Sequence, residues 1–245
     1  MTNKIVVDVM PRGLVSVMVD TKPFDVAKNL LEEAGYHIPC LEENAELRMQ
    51  EGENSPVCNS GNYVSDGILY VPQKGIFWTP NSPIMKNPKQ ATQCHRDRSE
   101  FYLTPEQVEE SLVDAVKINS ESIPTNIFGE NEFTAKVFGK NAQVYGDFLR
   151  DSRYEIQEMP IWLADISDKP FARQMWFGRL GDRSVLSGDG MNLGDSYRVR
   201  GVRDSNAECV ASQNFSGYTL EQIKHALTDL GFSGLEKDLT RRLSQ

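Results

Sequence analysis

The sequence predicts an α+β fold, and three observations carry that prediction. Residues 160–203 read as three or four short strands: Ile161 to Ile166 alternates loosely, Gln174 to Leu180 is rich in aromatics, and Tyr197 to Arg203 places β-branched residues between arginines. Gly181-Asp182-Arg183 and Ser187-Gly188-Asp189-Gly190 are the turn signals that separate them. Near the start, Lys4 to Met10 and Leu14 to Val19 are β-branched runs joined by Pro11-Arg12-Gly13, which predicts a hairpin leading into a helix. Finally, two helix starts, at Thr104 and Thr219, carry complete capping boxes.

Taken in order, the helix after the hairpin begins near Pro23, sets Ala27, Leu30, Leu31 and Ala34 on one face, and ends at Gly35. Between Glu42 and Gly67 the chain is acidic, rich in Asn, Ser and Gly, and weakly patterned. A long surface loop or linker is expected there, with a domain boundary inside it. Ile68 to Val71 and Gly75 to Thr79 form a second hairpin, and a Pro/Asn/Lys-rich stretch from Pro80 to Pro88 leads on to Cys94. Thr104 as N-cap, Pro105 at the first helical position and Gln107 reaching back define the next helix. Its buried stripe would be Val108, Leu112, Ala115 and Val116. Asn119 to Phe138 is expected to hold little regular structure, and Asn141 to Asp151 a short helix weakened by Gly146.

Past Arg203, Leu220, Ile223, Leu227 and Leu230 make an apolar seam stopped by Gly231, and Leu235, Leu239 and Leu243 mark one more helix. The expected organisation is an N-terminal β-hairpin/helix unit with an acidic loop over residues 1–67, a central domain over 68–204, and a C-terminal helical pair over 205–245. That pair is a candidate packing or oligomerisation element. With four basic and five acidic groups it lacks the basic excess that drives nucleic-acid binding.

With 39% hydrophobic and 25% charged residues, the 245-residue chain has enough apolar material for the core of an ordinary soluble protein. A net charge of -9 argues against general nucleic-acid binding. The charge is uneven: residues 1–67 hold five basic and eleven acidic groups, whereas residues 171–203 hold six arginines against Asp182, Asp189 and Asp195. Cys40, Cys58, Cys94 and Cys209 show no CxxC spacing, so a reducing compartment is the simpler expectation. Asp8 interrupts the first apolar run before it reaches signal-peptide length, and nowhere do ~18 apolar residues stand together. A location in the cytoplasm or in a phage particle, away from membranes, follows as an expectation.

Several scattered pieces line up in order and spacing: Gly75-Ile76-Phe77-Trp78, Ala91-x-x-Cys94, Phe101-Tyr102-Leu103-Thr104-Pro105 opening a helix, Trp162, Trp176, and Val199-Arg200-Gly201-Val202-Arg203. Together they resemble the bacterial C-type-lectin-like domains related to formylglycine-generating enzymes. The C-terminal domains of collagen-like adhesins and the variable proteins of diversity-generating retroelements are similar. The likeness covers about residues 68–204. Against the recurring pattern, Phe101 and Tyr102 replace Trp and Arg, Thr104 and Pro105 are reversed, Leu163-Ala164 stand where two serines are common, and Gly201 occupies a cysteine position. The resemblance implies that Cys94 has lost a disulfide partner, that the strands near Trp78 and Val202 lie side by side under the helix from Thr104, and that Arg200, on a central closing strand, is structural. It also implies a ligand face between Trp162 and Tyr197. The catalytic cysteine pair of the enzymes cannot be identified, so that activity is not carried over.

The candidate ligand-binding residues on that face are Trp162, Asp165, Arg173, Trp176, Arg179, Arg183, Asp189, Asn192 and Tyr197. Arginine suits bidentate contacts with carboxylate, sulfate or phosphate, and the aromatics can stack on a sugar or a partner side chain. The bland alternative makes the aromatics core and pairs the arginines with Asp165, Asp168 and Asp182. Five of the seven Cys and His residues, His37, Cys40, Cys58, Cys94 and His95, fall in one third of the chain, but only His37-x-x-Cys40 has metal-ligand spacing, and buried thiols are the default. The Asp189 to Asp195 loop lacks the ligand spacing of a calcium site. No cofactor and no metal are expected. The sequence therefore points to a non-enzymatic binding or structural protein recognising a protein or an acidic glycan. The alternatives are an enzyme using the same cleft, for which His95, Asp165, Asp189 and the arginines form no acid–base pair, and an arginine-mediated nucleic-acid contact.

Overall fold

In the computed structural model of the chain, which describes residues 5–8, 14–181, 184–195 and 197–204, the first two β-branched runs form the expected hairpin. It pairs β1 (Ile5–Asp8) antiparallel with β2 (Leu14–Lys22). Helix α1 (Phe24–Glu33) follows, with Phe24, Ala27 and Leu31 buried and Gly35 in the left-handed region at φ 78. The expected C-terminal helical pair lies outside the described residues.

The stretch expected to be a loop folds instead as α2 (Leu41–Glu51) and the short α3 (Pro56–Asn59). In α2 the buried positions Leu41, Asn44, Ala45 and Arg48 recur at helical spacing, but two of the four are polar. That polar burial hides the apolar stripe on which sequence reading depends. The second hairpin is as expected, though longer: β3 (Asn62–Val71) pairs with β4 (Gly75–Thr79). The boundary expected between residues 67 and 68 thus falls inside a strand.

After α4 (Pro83–Lys86), α5 (Pro88–Arg96) and β5 (Phe101–Tyr102), the capping box opens α6 (Pro105–Leu112). Thr104 Oγ1 accepts from the Gln107 N–H at 3.3 Å and Gln107 Oε1 accepts from the Thr104 N–H at 2.9 Å. The helix stops before Ala115, because Asp114 turns into the left-handed region at φ 59 and Val116 enters β6 (Val116–Lys117) instead. Residues 119–138 are also better ordered than expected. They hold β7 (Ser122–Pro124), a 3-10 turn at Thr125–Ile127 and α7 (Glu132–Val137), and their aromatics Phe128, Phe133 and Phe138 are core. Then come α8 (Ala142–Asp151), β8 (Glu158–Trp162), β9 (Phe171–Phe177), β10 (Leu186–Ser187) and β11 (Tyr197–Asp204). Two strands begin three residues earlier than the sequence suggested.

Eight strands form one sheet, in the order β6-β4-β3-β9-β10-β8-β7 with β5 on β9, and β1-β2-β11 form a second. The closing strand β11 is therefore at an edge of the small sheet, paired with β2 from Tyr197↔Lys22 to Asp204↔Leu14. It does not lie beside β4, and α6 packs on β3 and β4 rather than across both segments. The sheets meet where β11 packs against β3, and Val202 of β11 also forms an antiparallel bridge with His37. N-terminal and central segments belong to one compact unit, so residues 14–22 are part of the central fold.

The large sheet is buried on both faces. Along β3, Ile68 and Tyr70 enter one cluster with Phe171, Met175 and Phe177, whereas Leu69 and Val71 enter another with Phe24, Leu31, Phe101 and Ala172. Successive strand residues point to opposite faces, so two cores sandwich the sheet. Gly201 explains the missing cysteine of the closing strand: a Cβ there would stand 2.5 Å from Leu31 Cδ2 and 3.0 Å from Tyr36 Cβ, where α1 crosses β11. Gly146, read as a weakness in α8, is a similar close approach, since a Cβ would strike the Thr125 carbonyl and lie 3.1 Å from Phe128 Cβ. In an isolated helix Gly→Ala stabilises by about 1 kcal/mol. Here Gly146→Ala is expected to destabilise by about 1–3 kcal/mol in urea unfolding, because backbone must move.

Candidate ligand-binding face

Strand β9 is flanked by β3 along one edge and, along the other, by β5 at Phe171 and Ala172 and by β10 at Trp176 and Phe177. Residues 173–175 lie between those last two pairings. Arg173 bridges the interval: its Nε and Nη2 donate to Glu100 Oε2 and Oε1 at 3.1 and 2.5 Å, and its Nη1 donates to the Asp189 carbonyl. The guanidinium is buried, and the bidentate pairing matches its planar fork to the carboxylate. One side chain thus fixes the start of β5 and the loop after β10.

A second tie comes from Tyr70, whose ring stacks on Phe171 at 4.3 Å between centroids. Its hydroxyl donates to the Gly188 carbonyl at 2.8 Å and accepts from the Ala164 N–H at 3.1 Å. Gly188 N–H in turn donates to the Trp162 carbonyl at 2.8 Å. The loops 163–170 and 188–195 are therefore neighbours, held from beneath. Leu193 anchors the far end of the second loop: its carbonyl accepts from Phe24 N–H at 2.9 Å and its N–H points to His95 Nδ1 at 3.5 Å.

These ties sort the expected site residues. Trp162 and Asp165 are exposed beside Ile166, and Asp189 is exposed on the adjoining loop, with its Oδ1 accepting from Ser187 Oγ at 2.5 Å. Asn192 is half-buried in that loop and Arg179 is exposed. Arg173 is brought to the site as its buried clasp, paired with Glu100 and not with Asp165 or Asp168. Trp176 is half-buried, edge-on to Tyr63 at 5.0 Å and over Gly61, so it packs as core. Arg183 lies outside the described residues, as does the side chain of Tyr197, whose backbone opens β11. Arg200 is fully buried and donates to Ser16 Oγ at 2.7 Å, in keeping with a structural role.

Several residues carried no usable signal in the sequence. Glu100 is separated from Arg173 by 73 positions. Tyr102 is exposed, with the Lys169 ammonium 5.7 Å above its ring. Arg48 is wholly buried, where Nη2 donates to the Gly178 carbonyl at 2.5 Å, Nη1 donates to Tyr145 Oη at 3.1 Å and Ser184 Oγ at 3.3 Å, and the guanidinium covers Phe177 at 3.7 Å. Asp66 is buried at the N-terminus of α2, accepting from Leu41 N–H at 2.7 Å and Trp78 Nε1 at 3.0 Å. Among the described residues, no three His, Cys, Asp or Glu side chains converge on a metal position, and Cys40, Cys58 and Cys94 are free thiols.

A solved structure described as the accommodation of massive sequence variation in Nanoarchaeota by the C-type lectin fold aligns with 80% of this chain and 100% of its own, at 14% identity and a TM-score of 0.58. The fold is C-type-lectin-like. The 80% covered exceeds the little over half of the chain that the sequence motifs span. No family profile and no curated protein sequence matches the chain. Within the lectin-like module, the two loops tied by Tyr70 and Arg173 expose Asp165, Ile166, Asp168, Lys169 and Asp189, and no helix among the described residues is long and apolar enough to cross a membrane.

Two consequences can be measured. Glu100→Leu alone leaves Arg173 buried without its anion and is expected to destabilise by about 3–5 kcal/mol, whereas Glu100→Leu with Arg173→Met should recover much of that loss. The second concerns pH. Burial pushes the Asp66 carboxyl up to about 7, so between its ordinary 3.8 and 7 the native state holds a proton that the unfolded chain has released, and stability falls as pH rises. Burial pushes the His95 imidazole down to about 4, so between 4 and its ordinary 6.5 the unfolded chain holds the extra proton, and stability rises with pH. The two slopes oppose each other. Asp66→Asn removes the first, and its unfolding free energy should climb between about pH 4.5 and 6 by up to about 1.4 kcal/mol per unit.

Proposed function

We propose that this chain is a non-enzymatic binding protein whose ligand face is formed by the loops 163–170 and 188–195 together with Trp162. The observation that carries this reading is the division of labour around β9. The groups beneath the loops are paired with one another, while Trp162, Asp165, Ile166, Asp168 and Asp189 above them are exposed. A rigid base with a large aromatic anchor on top is the arrangement from which binding energy is drawn. Among lectin-like modules, we place the chain nearest the adhesin-like and retroelement-variable binding domains that its motifs resemble. The structural neighbour, described in terms of sequence variation on the same fold, supports that placement.

An enzymatic role gains no support, since His95 is buried behind Leu193 and, among the described residues, no acid–base pair faces the loops. Contact with nucleic acid or an acidic glycan through the arginines has less support: Arg173 is neutralised by Glu100, Arg200 is buried and Arg203 stands 4.8 Å over the ring of Tyr36, which leaves Arg179 and Arg198 as the exposed arginines from β9 to β11 among the described residues. A protein ligand is the better choice. Trp162→Ala should abolish binding in a protein and glycan array without lowering the melting temperature by more than a degree or two, whereas Trp176→Ala should lose about 3 kcal/mol of stability. Array binding unchanged by Trp162→Ala would remove this face from consideration.

A further inference from the structure

The two edges of the large sheet, β6 and β7, are consecutive in the chain. Only residues 118–121 join them, so Lys117 and Ser122 are at most about 18 Å apart, whereas the strand order laid flat would separate them by about 29 Å. The sheet is therefore curled, and its edges face each other across a seam in which no ladder joins β6 to β7 among the described residues. Helix α7 packs on β6 here and leaves a cavity of about 140 Å³. A water needs about 10–15 Å³ of such space, so there is room for roughly ten non-hydrogen atoms.

The lining is amphipathic. Ile118, Ile123 and Phe133 are buried and form an apolar floor, whereas Lys117 and Glu132 are exposed and form the rim. The stem of Lys117 lies over Gly75, where a Cβ would stand 2.8 Å from Lys117 Cε and 3.3 Å from Nζ, so the glycine makes room for the ammonium. Glu132 is held in the first turn of α7, whose cap Asn131 accepts from the Thr134 N–H at 3.1 Å. Neither the ammonium nor the carboxylate makes an ion pair or hydrogen bond among the described residues, with each other or with any third group. The rest of the lining, Asn119, Ser120 and Asn131, is neutral. One cation and one anion held apart over an apolar floor select a molecule that carries both charges and a small apolar group.

We propose that this cavity binds a free amino acid with a short aliphatic side chain, its carboxylate on Lys117, its ammonium on Glu132 and its side chain against Ile118, Ile123 and Phe133. Size and charge set the class together. A monosaccharide offers no charge to either rim group, and a dicarboxylate would meet Glu132 with its second anion. None of the lining residues belongs to the loops 163–170 or 188–195, so the site is independent of the face proposed above.

The full chain is titrated calorimetrically with L-leucine, glycine, L-leucinamide and N-acetyl-L-leucine, each to about 10 mM. Leucine should bind best. Glycine keeps both charges without the side chain and should bind at least about tenfold more weakly. Leucinamide lacks the carboxylate and N-acetyl-leucine the ammonium, and each should bind about threefold to tenfold more weakly. Lys117→Gln should abolish the preference for leucine over leucinamide and keep that over N-acetyl-leucine. Glu132→Gln should do the reverse, and the melting temperature of both variants should hold because both side chains are exposed. Absence of binding by all four probes overturns the site. Glycine, or either blocked form, binding as tightly as leucine overturns the amino-acid assignment. Preferences that survive both substitutions put the bound leucine elsewhere and overturn the proposal.

Discussion

The lectin-like module depends on how β9 keeps its second edge. A single long strand would serve that edge with one ladder, but here two two-residue strands share it, β5 at one end and β10 at the other. Two-residue pairings are too short to hold loops by themselves. Arg173 supplies what they lack, because one planar cation can satisfy a carboxylate in bidentate fashion and a carbonyl at once. Glu100 immediately precedes β5 and Asp189 follows β10 closely, so the same side chain fixes both arrivals. Burying that charge is tolerable because its partner is buried with it.

The same logic recurs at other depths. Gln174, next along β9, donates to the carbonyls of Val64 and Asp66 and accepts from Ser82, where the register of β3 against β9 shifts between Tyr63 and Gly67. A bulge leaves backbone groups without ladder partners, and a buried amide with both donor and acceptor is suited to repair them. Arg48 does for Gly178 and Ser184 what Arg173 does for its neighbours, using neutral acceptors and the face of Phe177. The loops are thus held by polar groups rising from a sheet whose two faces are otherwise apolar.

This construction decides what could be read from the residues in order. The hairpins, the helix at Pro105 and the helix at Ala142 were legible because their signals are local: alternation, a capping box, an apolar face. The helix at Leu41 was not, since Asn44 and Arg48 occupy its buried face and erase the stripe. The pairing of β2 with β11 was hidden for a different reason. No pattern within either strand names a partner some 180 residues away, although the β-branched character of both was visible. Among the site residues, Trp162, Asp165 and Asp189 are exposed. Arg173 and Trp176 look the same on paper yet face inward, because β9 is covered on both sides and an arginine or tryptophan on such a strand has no exposed face to choose.

That distinction also bears on which parts of the surface can change without loss of the fold. An exposed aspartate such as Asp165 contributes at most a few tenths of a kcal/mol to stability, so its replacement is nearly free for folding. Removing a member of the Arg173 clasp leaves a charge buried, which costs several kcal/mol out of a total stability of about 5–15. Separation between the two classes is sharp because the loops are short of internal contacts and rest on hydroxyl, amide and guanidinium groups that belong to the sheet. The base of the fold is therefore set by the buried polar groups, and the exposed loop side chains above it carry an energetic burden for folding that is close to nil.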